Sequence, residues 1–496
     1  MNFTALRLAF AVLGALVSGP VSAGEDQDWV IGPALEAPRT TADPVAAWYA
    51  QVLDSETLAK LGPDLSKAEA LVEAYLVEPQ EALRLEILND LLALKLPAAA
   101  LRAILREGPA QAEVPRTGSF EAKAAVPGFD GRAVKLSVRV PEGYTPSQRW
   151  PLILALHGTL GTGQYLEHWN GSRGAEKYLI VAPWADCGHG WGPSRFGRAQ
   201  VLGTLAWVRT HYRIDPERVY VEGFSMGGTG SKKLAALFVD RFAALCSRSG
   251  PPLRSNQEAL YRNLAATGVM NLGGEMDSIV PAEALRKEDN AMRAAGIETV
   301  FKMHSERKHD IFQDLNGEVL EFFSEHVRNA YPETLKFASY ENGWGAGGWW
   351  IEISEPESRA NFTYPEHVLD IAKVKAEQAK GVDIFLPKNM EKLIASHPEV
   401  LLDTLTLWSQ PRTFAAHLDR KANAVVIDEA QRIVRLKIYL ADEMLDLDRE
   451  ISVVYRGRTL VRKKLERDVS ILLEEARRRE RRDLSYWGFL EVRLSP

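Results

Sequence analysis

Residues 219–228 read Val-Tyr-Val-Glu-Gly-Phe-Ser-Met-Gly-Gly. A β-branched and aromatic run ends at a serine with a glycine two residues away on either side. Gly223-Phe224-Ser225-Met226-Gly227 fits G-x-S-x-G. The pattern has a steric cause. A nucleophile thrust out between a strand and a helix needs a tight, strained turn, and larger residues two positions away would strike the neighbouring strands. The flanks agree: the apolar run predicts a strand before Ser225, and "GGTGSKKLAALF" predicts a helix after it. The helix N-terminus would add backbone N–H groups and a positive dipole beside the serine.

Working outward, "WPLILALHG", "YLIVAPW", "RVYVEGFS", "FAALCSRSG", "GVMNLGGEMD" and "TVFKMHS" are continuous apolar runs. Such runs suit strands buried on both faces of a parallel sheet. Helical stretches such as "AQVLGTLAWVRTHY" and "AEALRKEDNAMRAAG" lie between them. The alternation predicts right-handed crossovers and an α/β, doubly wound, mostly parallel sheet. Two alternating strands, "SFEAKAAV" and "AVKLSVRVPEGY", precede it, with a turn at Gly128 to Gly131.

A serine hydroxyl is a poor nucleophile at neutral pH. It needs a base, and the base needs an orienting carboxylate. Downstream of Ser225, "NLGGEMDSIVP" ends a strand at Asp277, and functional groups in open α/β sheets lie at the carboxyl ends of strands. "MHSERKHDIF" then offers His304 and His309. His309 is preferred, because a catalytic histidine should follow its strand on a loop. Glu275 is the rival acid, and Asp310 reads as a helix cap. An oxyanion hole needs two backbone N–H groups. Met226 supplies one, and Thr159 or Leu160, in the loop after "LILALHG", supplies the other. His157 reads as a brace for that loop.

"PLILALHG", "YRIDPERVYVEGFSMGG", "GEMDSIVP" and "KHDIF" together resemble the α/β-hydrolase superfamily, nearest to secreted esterases similar to feruloyl esterases and poly(3-hydroxybutyrate) depolymerases. The resemblance covers residues from about 120 to 330. It implies carboxylic-ester hydrolysis through an acyl-enzyme, with Ser225 as nucleophile, His309 as base and Asp277 as orienter. The charged "SERK" before the histidine departs from the glycines usual there. Trp184, His189 and Trp191 in "APWADCGHGWGPSRFG" read as a substrate wall or as loop packing, as do Tyr165, His168 and Trp169.

The 496 residues exceed one ordinary domain. Residues 1–23 have the layout of a secretory signal peptide: Arg7, a short apolar core, Gly19-Pro20 and the exit Val21-Ser22-Ala23. This predicts a secreted or periplasmic protein with no membrane span after cleavage. Residues 24–115 read as a helical packing or lid-like segment, with Asp43 and Ser66 as N-caps and Gly108-Pro109 as the stop. Residues 116–335 would form the hydrolase domain and 336–496 a β-rich accessory domain. The net charge of -6 gives no electrostatic case for nucleic-acid binding. None of the ten histidines pairs at the spacing of a zinc motif, and no cofactor or metal is expected. "GGTGSKK" lacks the ending of a phosphate loop. Cys187 and Cys246 leave a disulfide open, and "EEARRRERR" at 474–482 reads as a solvated helix or loop. The expected partner is an ester substrate, with polysaccharide and polyester both open, as is the oligomeric state. Two readings compete with the esterase: a peptidase resembling prolyl oligopeptidases, and a polymer-binding protein with a weakly active hydrolase domain.

Overall fold

A computed structural model describes residues 49, 53–57, 64–108, 116–129, 131–159, 161–184, 191, 195–253, 255–340, 347–357 and 411–494. The expected leader, Asp43, Leu160, Cys187 and His189 lie outside the described residues.

Helices α1 (Leu65–Val77), α2 (Glu81–Ala93) and α3 (Ala98–Glu107) come first. Asp64, not Ser66, occupies the N-cap of α1, so Ser66 falls inside the first turn. The break between α2 and α3 falls at Lys95, whose φ is 50°, and Pro97, which cannot continue a helix. Gly108 ends α3 with φ +70°, a conformation that favours glycine.

Strands β1 (Gly118–Ala125), β2 (Ala133–Val140), β3 (Trp150–Leu156), β4 (Leu179–Trp184), β5 (Ile214–Phe224), β6 (Ala244–Arg248), β7 (Gly268–Gly274) and β8 (Thr299–His304) form one sheet. Their order is β1-β2-β4-β3-β5-β6-β7-β8. The first pair is antiparallel, β2 meets β4 antiparallel, and β3 to β8 run parallel. All seven residues of β3 are buried, as a central strand covered on both faces requires. Leu152, Leu154 and Leu156 face a core shared with α4 (Arg195–His211) and α5 (Met226–Leu237). Ile153 and Ala155 face the opposite core, with Trp169, Tyr178 and Phe323. Helices α6 (Ala282–Ala294) and α7 (Asn316–Ser324) complete the covering. β4 lies on one side of β3 and β5 on the other, so the strand order reverses there. The carboxyl ends of β3 and β5 therefore border the crevice where open α/β sheets place their ligands.

The C-terminal residues form two further sheets. One contains β10 (Gly347–Gly348), β11 (Ile351–Pro356), β14 (Ile433–Leu440) and β17 (Gly488–Arg493). The other contains β9 (Thr334–Ser339), β12 (Arg412–Asp419), β13 (Ala424–Gln431), β15 (Glu450–Tyr455) and β16 (Arg458–Lys464). The boundary expected after 335 falls inside β9, which pairs with β12. The N-terminal helices do not stand apart: Val72, Leu101 and Ile104 share one core with Phe414, Leu436, Tyr439 and Trp487.

Candidate active site

Ser225 follows β5 and precedes α5 with φ 56° and ψ -114°, a backbone that L-residues rarely adopt. Its N–H donates to the Arg248 carbonyl at 2.8 Å, and its carbonyl accepts the first helical bond from the Thr229 N–H at 3.0 Å. The flanking glycines are required by space. A Cβ at Gly223 would run into the Gly227 backbone, and one at Gly227 would overlap the Leu156 carbonyl. This is the steric cause read from G-x-S-x-G.

Asp277 lies just beyond the end of β7. Its Oδ1 accepts the N–H groups of Ile279 and Val280, each at 2.8 Å. Its Oδ2 accepts from His309 Nδ1 at 2.8 Å. With three donors converging on it, the carboxylate is fixed, and it holds the proton of His309 on Nδ1. Nε2 is then the nitrogen free to accept one. The His309 ring lies 4.8 Å, centre to centre, from the ring of Phe224, the residue before Ser225. The rivals are engaged elsewhere. Glu275 pairs with Arg286. His304 is the last residue of β8 and packs 5.3 Å from the Phe312 ring. Asp310 accepts the Phe312 N–H at 3.1 Å and pairs with Arg307 at 2.6 Å, so it caps its own turn rather than a helix.

Met226 opens α5, so its N–H is among those a helix leaves without an internal partner. Thr159 lies in the turn closed by the Gly161 N–H on the Gly158 carbonyl at 3.0 Å. Gly158 is pressed against the Phe224 ring, which ties this loop to the serine turn. His157 is buried, and burial pushes its imidazole down to about 4. The Trp191 indole N–H donates to the His157 carbonyl at 2.8 Å, and the two rings meet edge to face at 5.0 Å. Trp191 is 2% exposed, so it is a strut under the loop and presents no face to a substrate. Trp184 is half-buried. It donates its indole N–H to Ser137 Oγ at 2.8 Å and carries the Lys135 ammonium over its ring.

Tyr165, His168 and Trp169 also fail as a substrate wall. Tyr165 Oη and Trp169 Nε1 donate to the buried Glu222 at 2.9 and 3.2 Å, and His168 stacks on Tyr165. Burial pushes the Glu222 carboxyl up, and Arg248 with these donors pulls it back. The sequence reading missed Glu222 and Arg248. The available signal was two opposite charges, one in each of two neighbouring strands that otherwise read as buried. Cys246 is free and buried, and burial pushes its thiol up to about 12, which makes it inert. No group of three or more His, Cys, Asp or Glu among the described residues is placed to hold a metal ion. No described helix is long and apolar enough to cross a membrane.

A strand order reversing between β3 and β5, a serine on the turn after β5, and an acid–histidine pair beyond β7 and β8 give this part of the chain the α/β-hydrolase fold. Residues 196–338 match the dienelactone hydrolase family. The chain is 31% identical over 159 residues to an esterase of Mycobacterium tuberculosis, covering 28% of this chain and 34% of that one. It is 29% identical over 126 residues to a bifunctional acetylxylan esterase/xylanase of Neocallimastix patriciarum, covering 24% and 18%. It is 26% identical over 223 residues to a poly(3-hydroxyoctanoate) depolymerase of Pseudomonas fluorescens, covering 39% and 80%. The chain thus spans about a third of the length of the mycobacterial esterase.

Proposed function

We propose that the protein is an exported serine hydrolase that cleaves carboxylic esters through an acyl-enzyme. The observation that carries the reading is the 2.8 Å bond between His309 and Asp277 beside the strained Ser225 turn. In this mechanism Ser225 Oγ attacks the ester carbonyl while His309 Nε2 takes its proton. Asp277 keeps the imidazole in the required tautomer and stabilises the imidazolium. The Met226 and Thr159 N–H groups receive the negative charge that develops on the carbonyl oxygen. His309 then returns the proton to the departing alcohol. Water, activated by the same histidine, releases the acid and restores the serine.

The substrate class proposed is an ester borne on a polysaccharide or a polyester. Support comes from relatives named for acetylxylan and for poly(3-hydroxyoctanoate). Export is proposed from the leader-like residues 1–23.

Hydrolysis of p-nitrophenyl acetate by the wild type and by Ser225→Ala is the direct test. Loss of the nucleophile should lower the rate by roughly 10⁴-fold or more. Equal activity in both proteins, or none in either, rejects the reading for activated esters. Acetylated xylan, feruloylated sugars, short polyesters and a prolyl amide, assayed side by side, choose among the substrate classes. A mature N-terminus at Gly24 in the periplasm or medium tests export.

A further inference from the structure

We infer that Arg248 is a positioning residue that locks the nucleophile turn and the histidine loop into one geometry. The inference rests on the roles proposed for Ser225 and His309. Arg248 ends β6 with its side chain wholly buried. Its carbonyl accepts the Ser225 N–H at 2.8 Å. Its Nε donates to Glu222 Oε2 at 3.0 Å, and Glu222 lies on the nucleophile's own strand, three residues before the serine. Its Nη1 donates to the carbonyls of Ile311 and Phe312 at 3.0 and 3.1 Å, two and three residues after His309. One side chain therefore joins the strand that carries the nucleophile to the loop that carries the base.

Ser249 extends the clamp. Its Oγ donates to the Asp310 carbonyl at 3.0 Å and accepts the Asp310 N–H at 3.3 Å. Its N–H donates to the Leu272 carbonyl on β7 at 2.9 Å. Ser249 has φ 45°, so the clamp holds a backbone conformation that costs energy. All three residues after His309 are thus held from the end of β6. The imidazole is held from the other side by Asp277.

The chemistry requires arginine. Buried carbonyls need donors, and a planar guanidinium serves a carboxylate and a carbonyl pair at once in fixed directions. A lysine keeps the charge beside Glu222 but has a single nitrogen that cannot reproduce the fork.

Arg248→Lys in the full chain separates the two roles. With p-nitrophenyl acetate, kcat per folded molecule should fall on the order of 10- to 100-fold, the cost of a small misplacement of a catalytic group. KM should change little. The acidic limb of the kcat/KM profile should move to lower pH, because a loosened His309 is less well stabilised as imidazolium by Asp277. Glu288→Gln is the control. It breaks another buried pair, Lys232–Glu288 at 2.5 Å, whose bonds do not reach the histidine loop. It should lower Tm and keep kcat. If Arg248→Lys keeps its kcat and its pH limb, or loses activity only in step with the folded fraction, Arg248 is a structural brace and the inference is overturned. Should Arg248→Lys not fold, Ser249→Ala decides between the two: a lower kcat and the same limb shift support the clamp, and no change in either refutes it. Activity retained in Ser225→Ala would instead refute the esterase reading itself.

Discussion

Ser225 holds φ 56° and ψ -114°, a conformation that costs about 1–3 kcal/mol in a residue with a Cβ. Glycine adopts it without that cost, so Ser225→Gly should raise Tm while abolishing ester hydrolysis. A melting curve with no rise would mean that the turn is not strained. Asp277→Asn should keep the fold and lower kcat by roughly 10⁴-fold, because the amide presents a donor to His309 and selects the wrong tautomer. A kcat close to wild type in that variant would remove Asp277 from the mechanism. His157 gives a prediction in pH. Burial lowers its imidazole from 6.5 to about 4, and burial lowers that of His168 in the same direction. Each is neutral in the folded state and binds a proton more readily when unfolded. The stability they contribute is complete above pH 6.5 and is lost as pH falls from 6.5 toward 4, by up to roughly 3 kcal/mol for His157. His157→Asn keeps a donor toward the Gly158 carbonyl without titrating. Urea midpoints measured from pH 7 to 4 should therefore fall less steeply in the variant, with the remainder shared by His168 and by carboxylates that arginines hold low, such as Glu475 and Asp483. Identical slopes would assign the acid loss to other groups.

At the scale of the element, the acid and histidine loops are laced together. The Met276 N–H donates to the Arg307 carbonyl at 2.9 Å and the Glu275 N–H to the His304 carbonyl at 2.9 Å. Gly274 ends β7 with the Arg307 and Lys308 carbonyls packed against its α-carbon, so an added methyl group would collide with both. Gly274→Ala should push His309 off Asp277, with about 1–3 kcal/mol of lost stability and a lower kcat. A variant with wild-type kcat would show that the loop yields without disturbing the pair. Strands β3 to β8 were legible because each is an apolar run that ends in turn residues, and β1 and β2 because their residues alternate. Ser225 was legible because its glycines are dictated by space, and His309 because it lies past the last residue of β8. Other features depend on contacts far apart in sequence. Glu222 and Arg248 sit in apolar strands, and only the strand register brings them together. Strand β12, "RTFAAHLD", mixes alanine and charged positions that give no clear alternation, and β9 supplies its pairing partner from before the long intervening segment. The aromatic residues were read from their place after a strand end as a substrate wall or as loop packing, and the contacts favour packing. Their indole and phenol donors are spent inside the protein on Glu222, Ser137 and the His157 carbonyl.

The run "EEARRRERR", expected to be solvated, instead joins the C-terminal residues to the hydrolase sheet. Its first part lies in α8 (Val469–Arg479). Arg481 is 1% exposed and donates to Asp483 at 2.6 and 2.9 Å, while Arg328, just after α7, pairs with the same carboxylate. Arg481 also meets Asp240 at 3.0 Å, and Arg241 donates to the Glu480 carbonyl at 3.2 Å. From the N-terminal side, Glu107 pairs with Arg213 at 2.7 Å and Arg106 with Glu217 at 2.9 Å. Residues 213–217 and 240–241 precede or open β5 and β6, so these bonds lie at the amino ends of the strands. Ser225 and Asp277 follow the carboxyl ends. These contacts attach α3 to the end of the sheet opposite Ser225, which favours the packing role over the lid-like one among the two read from the sequence. Burial opposes the charge on Asp483, but Arg481 and Arg328 overcome it and hold the carboxyl well below its ordinary range. Asp483→Asn takes the carboxylate partner from buried Arg328 and leaves Arg481 with Asp240 alone, so it should cost about 3–5 kcal/mol of stability. Because the damage lies at the far end of the sheet, kcat per folded molecule should stay at the wild-type value. Denaturant unfolding and active-site titration on the same sample separate the two quantities. A variant that keeps its stability would show that this ion cluster does not hold the parts together. One that loses kcat while fully folded would show that the C-terminal residues control the Ser225 end from across the sheet.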